Sequence, residues 1–197
     1  MRLVLASSNA GKVVELEQLL AGSGVALVPQ THMGVTDADE TGLTFVENAL
    51  LKARHAARLT GLPALADDSG ICVDALNGAP GLYAARYAGT HGDSAANNAK
   101  LLRALDGVPA ARRTAYFIAV LVVLRHADDP APLIAEGRWH GRILEAPQGE
   151  GGFGYDPLFL PDGHDVSAAE LDGALKNRLS HRGQALDVLK ARFAELA

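Results

Sequence analysis

Leu3-Val4-Leu5-Ala6-Ser7-Ser8-Asn9-Ala10-Gly11-Lys12 is the stretch whose reading decides the fold. Its four leading apolar residues have the length of a short strand, residues 7–11 form a polar turn, and Val13, Leu16, Leu19 and Leu20 then recur at helical spacing. Gly22 and Gly24 end that helix, Val25 to Val28 starts a second strand, and Pro29 closes it. The opening unit is therefore β-α-β, the building block of an α/β sheet. A loop from a strand into a helix N-terminus gathers backbone N–H groups, the Ser7 and Ser8 hydroxyls, the Asn9 amide and the Lys12 ammonium where an anion is stabilised. The same residues also suit an ordinary helix cap with a solvated lysine. A P-loop is excluded, because Ala6 stands in place of its first glycine and Val13 in place of its hydroxyl.

Outward from this unit, Thr44-x-x-Glu47 forms a capping box, and Phe45, Ala49, Leu50, Ala53 and Ala57 recur at helical spacing as far as Gly61. Pro63 to Ala66 then reads as a short strand that delivers Asp67, Asp68, Ser69 and Gly70 at its carboxyl end. Two adjacent carboxylates there are hard oxygen ligands suited to magnesium and to general-base work, or else belong to a plain turn. Alternation along a strand sends the two to opposite faces, so one of them at most meets a ligand unless the backbone turns. Asp37, Asp39 and Glu40 make a second acidic cluster, which on composition alone is a solvated loop.

Further along, Asp93 or Ser94 caps a helix through Leu105. Arg113 to Leu124 and Leu133 to Leu144 read as a hairpin turned at Asp128-Asp129-Pro130. Gly149, Gly151 and Gly154 spell Gly-x-Gly-x-x-Gly, but Tyr155-Asp156-Pro157 follows and disfavours the helix that a dinucleotide site needs. This glycine loop carries Phe153 and Tyr155, aromatics that either stack on a base or plug the sheet. Ser167-x-x-Glu170 is a second capping-box pattern, and Leu186, Leu189, Phe193 and Leu196 mark a final helix. Lys176, Arg178, His181 and Arg182 form a basic group that is either a solvated face or a counter-charge, with Arg182 suited to forked recognition and Lys176 to a point charge on phosphate.

Composition bounds the rest. The chain of 197 residues is 48% apolar and 21% charged, enough for one sizeable core, and nothing in it marks a linker. A net charge of -5 without a basic cluster argues against general nucleic-acid binding. The longest apolar run, Ala115 to Leu124, is too short for a membrane span, and no signal-peptide pattern opens the chain, so a cytoplasmic protein is expected. Cys72, the one cysteine, sits between Ile71 and Val73 and reads as a packing residue; the seven histidines show no metal spacing that suggests zinc.

Six motifs in order, Ser7 to Lys12, Glu40-Thr41-Gly42-Leu43-Thr44-Phe45-x-Glu47-Asn48-Ala49, Ala66 to Gly70, Gly78-Ala79-Pro80-Gly81, Gly151 to Pro157 and Ser180-His181-Arg182-Gly183, resemble the inosine triphosphate pyrophosphatase family, in its bacterial dITP/XTP pyrophosphatase branch. The resemblance spans nearly the whole chain. It implies one α/β domain over 1–197, elongated and two-lobed, with a central twisted mixed sheet, flanking helices and the active cleft between the lobes. It also implies a homodimer that hydrolyses deaminated purine nucleoside triphosphates to the monophosphate and pyrophosphate. Carried over, Asp68 is the proton acceptor and, with Glu40, a ligand of Mg2+. Ser7, Ser8, Asn9, Ala10, Gly11 and Lys12 hold the triphosphate, Ser69 touches substrate, Phe153, Gly154, Tyr155 and Asp156 form the base-side loop, and Lys176, His181 and Arg182 complete the substrate contacts.

Overall fold

The computed structural model describes residues 1–196, so Ala197, the last residue of the expected 1–197 domain, lies outside the described residues. Strand β1 (Arg2–Ala6) leads into α1 (Ala10–Leu20) and β2 (Ala26–Pro29), as the opening pattern requires. The remaining elements are α2 (Phe45–Thr60), β3 (Ala64–Val73), α3 (Ser94–Ala104), β4 (Thr114–Leu124), β5 (Leu133–Ile143), β6 (Phe159–Pro161), α4 (Gly173–Leu179) and α5 (His181–Lys190). All six strands form one sheet in the order β2-β1-β3-β4-β5-β6. β1 runs parallel to β2, pairing Leu3 with Leu27, and parallel to β3, pairing Val4 with Ala64 and Ala6 with Ala66. β5 and β6 are antiparallel, so the sheet is mixed.

Burial follows position in this sheet. Leu3, Val4 and Leu5 are all buried, the continuous apolar run of a strand covered on both faces, whereas β5 alternates buried and exposed residues along its whole length. α2 begins where its capping box puts it: the Thr44 hydroxyl accepts from Glu47 N–H, and the Glu47 carboxylate accepts from Leu43 N–H and the Thr44 hydroxyl. Gly61, in the left-handed conformation at φ 69°, ends it.

Three segments depart from the sequence pattern. β3 does not stop at Ala66 but runs ten residues through Asp67-Asp68-Ser69-Gly70 to Val73. Asp, Ser and Gly are turn formers in isolation, but here the carboxylates find cationic partners and the strand continues. β1 pairs with β3 as far as Ala6 opposite Ala66, and the acidic pair begins just past that point. The second capping-box pattern opens no helix: Ser167 N–H donates to the Glu170 carboxylate within a local turn, and α4 starts later, capped by Asp172. The expected final helix is α5, which carries Leu186 and Leu189 but ends at Lys190, so that Phe193 falls in a separate 3-10 turn, Phe193–Leu196; Ser180, whose ψ of 156° is extended backbone, separates α5 from α4.

The chain forms two compact units. One comprises Met1–Asp68, Ala119–Gly137 and the described residues from Arg182 onward; the other comprises Ser69–Ile118 and Arg138–His181. Leu3, Leu5, Leu16, Leu65, Leu121 and Leu186 centre the core of the first. Ile71, Leu101, Phe117, Trp139 and Phe159 centre that of the second, where the Phe117 and Phe159 rings meet edge-on at 4.7 Å. Among the described residues no helix is long and apolar enough to cross a membrane. Replacing the cap, Thr44→Ala, is expected to lower stability by about 1 kcal/mol, read as a lower urea midpoint at unchanged slope. An unmoved midpoint would show that the cap bond contributes nothing.

Candidate active site

In the first unit the turn after β1 is built as a helix cap that faces a buried ion network. The Asn9 side chain accepts from Lys12 N–H at 3.1 Å, which orients the first turn of α1, with Ala10 and Gly11 at its N-terminus. Ser7 is buried and its hydroxyl accepts from Asn9 N–H; exposed Ser8 donates to the Asp37 carboxylate at 2.6 Å. The Lys12 ammonium lies 3.1 Å from one Asp67 oxygen, and the Arg182 Nε–H donates to the other. Arg182, 1% exposed, also reaches Glu15 at 2.5 Å, so its fork faces two acids of the protein. Burial works to raise the Asp67 carboxyl, but Arg182 and Lys12 hold it well below the usual carboxylate range. Burial pushes the Lys12 ammonium down despite its Asp67 partner.

Asp68 takes different company, as strand alternation requires. Lys52 of α2 lies 2.6 Å from an Asp68 oxygen and 3.1 Å from a Glu40 oxygen, and donates to the Asp67 carbonyl at 2.7 Å. Glu40 and Asp68 thus converge on a single positive charge. Burial pushes the Asp68 carboxyl above its ordinary value, against the pull of Lys52. Burial opposes the Lys52 charge, yet Asp68 and Glu40 keep its pKa above the usual lysine value. Lys52 and Glu15 escaped the sequence reading. Lys52 left a trace there, since it lies on the stripe of Ala49, Ala53 and Ala56, where a lysine demands a partner.

In the second unit the glycine loop is drawn around Asp156. The Asp156 carboxylate accepts from Phe153 N–H at 2.8 Å and from the Lys176 ammonium at 2.6 Å, while that ammonium stands 5.1 Å from the Phe153 ring centre. Gly152 has φ 71°, and a side chain there would strike the Asp156 carboxylate, so the turn requires glycine. Phe153 is 37% exposed, whereas Tyr155 is 5% exposed and donates its hydroxyl to the Ala84 carbonyl. Of the two aromatics expected to stack, only Phe153 offers a face; Tyr155 is the plug. Burial pushes the Tyr155 phenol upward. His181 stacks on Phe117 at 4.9 Å with planes 11° apart, and half-buried Ser69 lies within β3. The solvated-face reading of the basic group holds for Arg178 alone, since Lys176, His181 and Arg182 are buried.

A family model described as the Ham1 family matches residues 3–192. The chain belongs to the Ham1 family. It is 62% identical over 195 residues to the dITP/XTP pyrophosphatase of Xanthomonas oryzae pv. oryzae, covering 99% of this chain and 98% of that protein. It is 61% identical to the dITP/XTP pyrophosphatase of Thioalkalivibrio sulfidiphilus, covering 98% of each. Its fold is similar to the solved structure of a HAM1 protein from Coxiella burnetii, with a TM-score of 0.90, 49% identity and 99% of each chain covered. The six motifs therefore pointed to the right family.

In this Ham1-family protein, Asp67→Asn leaves Arg182 and Lys12 short of a buried negative charge and is expected to cost about 3 kcal/mol, measured by denaturant unfolding. The sign with pH follows from the depressed Asp67 carboxyl. Its stabilisation is fully present above an unfolded aspartate pKa of about 4 and is lost as pH falls toward the lower folded value. Acid unfolding should therefore begin at higher pH if Asp67 is intact than if it is Asn, once the two are matched for stability at neutral pH; coincident profiles would refute the assignment.

Proposed function

We propose that this protein hydrolyses dITP, ITP and XTP to the nucleoside monophosphate and pyrophosphate, and so removes deaminated purines from the nucleotide pool. The observation that carries this reading is the convergence of Asp68 and Glu40 on one cation, in the unit that holds the Ser7 to Lys12 loop. The names of relatives 61–62% identical over nearly the full chain support the substrate class.

The triphosphate is assigned to Ser7, Ser8, Asn9, Ala10, Gly11 and Lys12, where the N-terminus of α1 and the Lys12 ammonium favour negative charge. The residues fit a hard divalent cation: two carboxylate oxygens already face one ammonium within 3.1 Å. These two carboxylates would leave the ion's other positions to water and phosphate oxygens. Asp68 and Glu40 would hold Mg2+, which when bound neutralises phosphate charge. Asp68, with its carboxyl raised by burial, is the proposed base. It takes a proton from water as the oxygen bonds to the α-phosphorus and the bond to the β-phosphate oxygen breaks, releasing pyrophosphate.

The base is assigned to the Phe153 ring and the loop through Asp156, with Ser69, Lys176, His181 and Arg182 as further contacts. The Phe153 amide already donates to Asp156, so the donors proposed for a 6-keto oxygen are the Gly154 and Tyr155 amides and the His181 ring. Adenine would meet them donor to donor, and a buried unpaired donor costs about 1–3 kcal/mol, roughly tenfold to a hundredfold in discrimination. Arg182, held by Asp67 and Glu15, is proposed to stiffen the Lys12 end of the first unit. A cytoplasmic homodimer completes the reading; a light-scattering mass of 20.6 kDa at micromolar concentration would overturn the dimer.

The deciding assay incubates the protein and Mg2+ with ITP, dITP, XTP, GTP, ATP and dUTP separately and resolves the products. Monophosphate plus pyrophosphate, fastest with the deaminated purines and abolished by chelator, is expected. Diphosphate plus orthophosphate, or a preference for dUTP, would refute the reading, and tight ITP binding without product would make the protein a nucleotide-binding regulator. Asp68→Asn is expected to keep the fold and lose turnover by about a hundredfold or more.

A further inference from the structure

Asn98 lies on α3, outside every residue assigned above, yet its side chain reaches the glycine loop. Its Nδ2 donates to the Gly154 carbonyl at 3.0 Å. Its neighbour Asn97 accepts from Ala88 N–H at 2.7 Å and donates to the Ala85 carbonyl at 3.2 Å, and Tyr155 closes the circuit by donating to Ala84 at 2.7 Å. Helix α3, the 84–88 segment and residues 154–155 are thus braced in a triangle inside the second unit.

The Asn98 end of that brace has a cost. Its Oδ1 is buried and, among the described residues, accepts no hydrogen bond, an arrangement that an apolar side chain of similar size would avoid. Flipping the amide would set Oδ1 against the Gly154 oxygen, acceptor on acceptor, so the hydrogen-bond network assigns its orientation. Core packing alone therefore gives no reason for an amide here. The loop gives one. Residues 149–154 include four glycines, with φ 71° at Gly152 and 64° at Gly154, so bonds from outside must set the loop's shape. Asp156 ties down the Phe153 amide on one side, and Asn98 ties down the Gly154 carbonyl on the other. The exposed Phe153 ring is carried between these two anchors.

We infer that Asn98 is a positioning residue for the base end of the site: by holding the Gly154 carbonyl it fixes the stance of the Phe153 ring. This rests on the proposed role of the Phe153 to Asp156 loop. The test compares wild type with Asn98→Leu, which removes both the donor and the orphan acceptor, and with Asn98→Asp, which turns an acceptor toward Gly154. Measured quantities are kcat and KM for ITP, inhibition by inorganic tripolyphosphate, which has no base, and Tm. The KM for ITP is expected to rise about 2- to 10-fold in Asn98→Leu and further in Asn98→Asp, with kcat changed by less than about twofold. Tripolyphosphate inhibition should stay constant, and the Tm of Asn98→Leu should not fall. An unmoved KM overturns the inference, as does a KM that moves in step with tripolyphosphate inhibition and a falling Tm, which marks general loosening. Phe153→Ala separates the two levels: if it raises KM while the Asn98 variants do not, only the inference fails; if it too leaves KM unmoved, the base-loop reading falls with it.

Discussion

A carboxylate taken out of water must be met by positive charge, and the Asp67 carboxylate at the middle of β3 imposes that condition on the first unit. Lys12 comes to it from the first turn of α1 and Arg182 from the first turn of α5, so one buried charge ties both helices to the strand. Glu15 balances the second side of Arg182. Such a network is strongly destabilised when one member is removed, because the rest remain buried and unpaired. It also holds the Lys12 ammonium at the end of the loop that receives the triphosphate in the proposed function.

Strand alternation carries the consequence one residue further. With Asp67 committed to Lys12 and Arg182, Asp68 is presented to Lys52 of α2, which also pairs with Glu40 of the segment before that helix. Two adjacent aspartates of the same chemistry thereby acquire opposite properties. The first is held ionised by its cations; the second is raised by burial, which suits the base role proposed for it. The second unit uses the same device once more on a smaller scale, with Asp156 gathering Lys176 and the Phe153 amide to shape a loop that its glycines leave free.

The opening β-α-β unit, the Thr44 capping box, the Gly61 stop and the β4–β5 neighbours were legible because each rests on contacts within a few residues. The same locality misled at Asp67 to Gly70 and at Ser167 to Glu170. In the first case turn-forming residues sit inside a ten-residue strand, since cations distant in sequence stabilise it. In the second a capping pattern makes its local bond, but no helix follows it. The motifs identified the family and nominated the acidic pair, the glycine loop and the basic group. They did not separate Tyr155 from Phe153, whose hydroxyl or ring exposure depends on what packs around them, nor Arg178 from its buried basic neighbours.

By itself, then, the sequence determined the α/β class, the positions of the caps, the family and the residue types that carry charge, because these follow from periodicity, local hydrogen bonding and ordered motifs. Only the tertiary structure decided which charge answers which. Lys52 belongs to Asp68 and Glu40, Lys12 and Arg182 to Asp67, Lys176 to Asp156, and Asn98 to the Gly154 carbonyl. The physical reason is range: these partners lie from 12 to 115 residues apart, and their pairing is set by burial and by the face on which each side chain emerges.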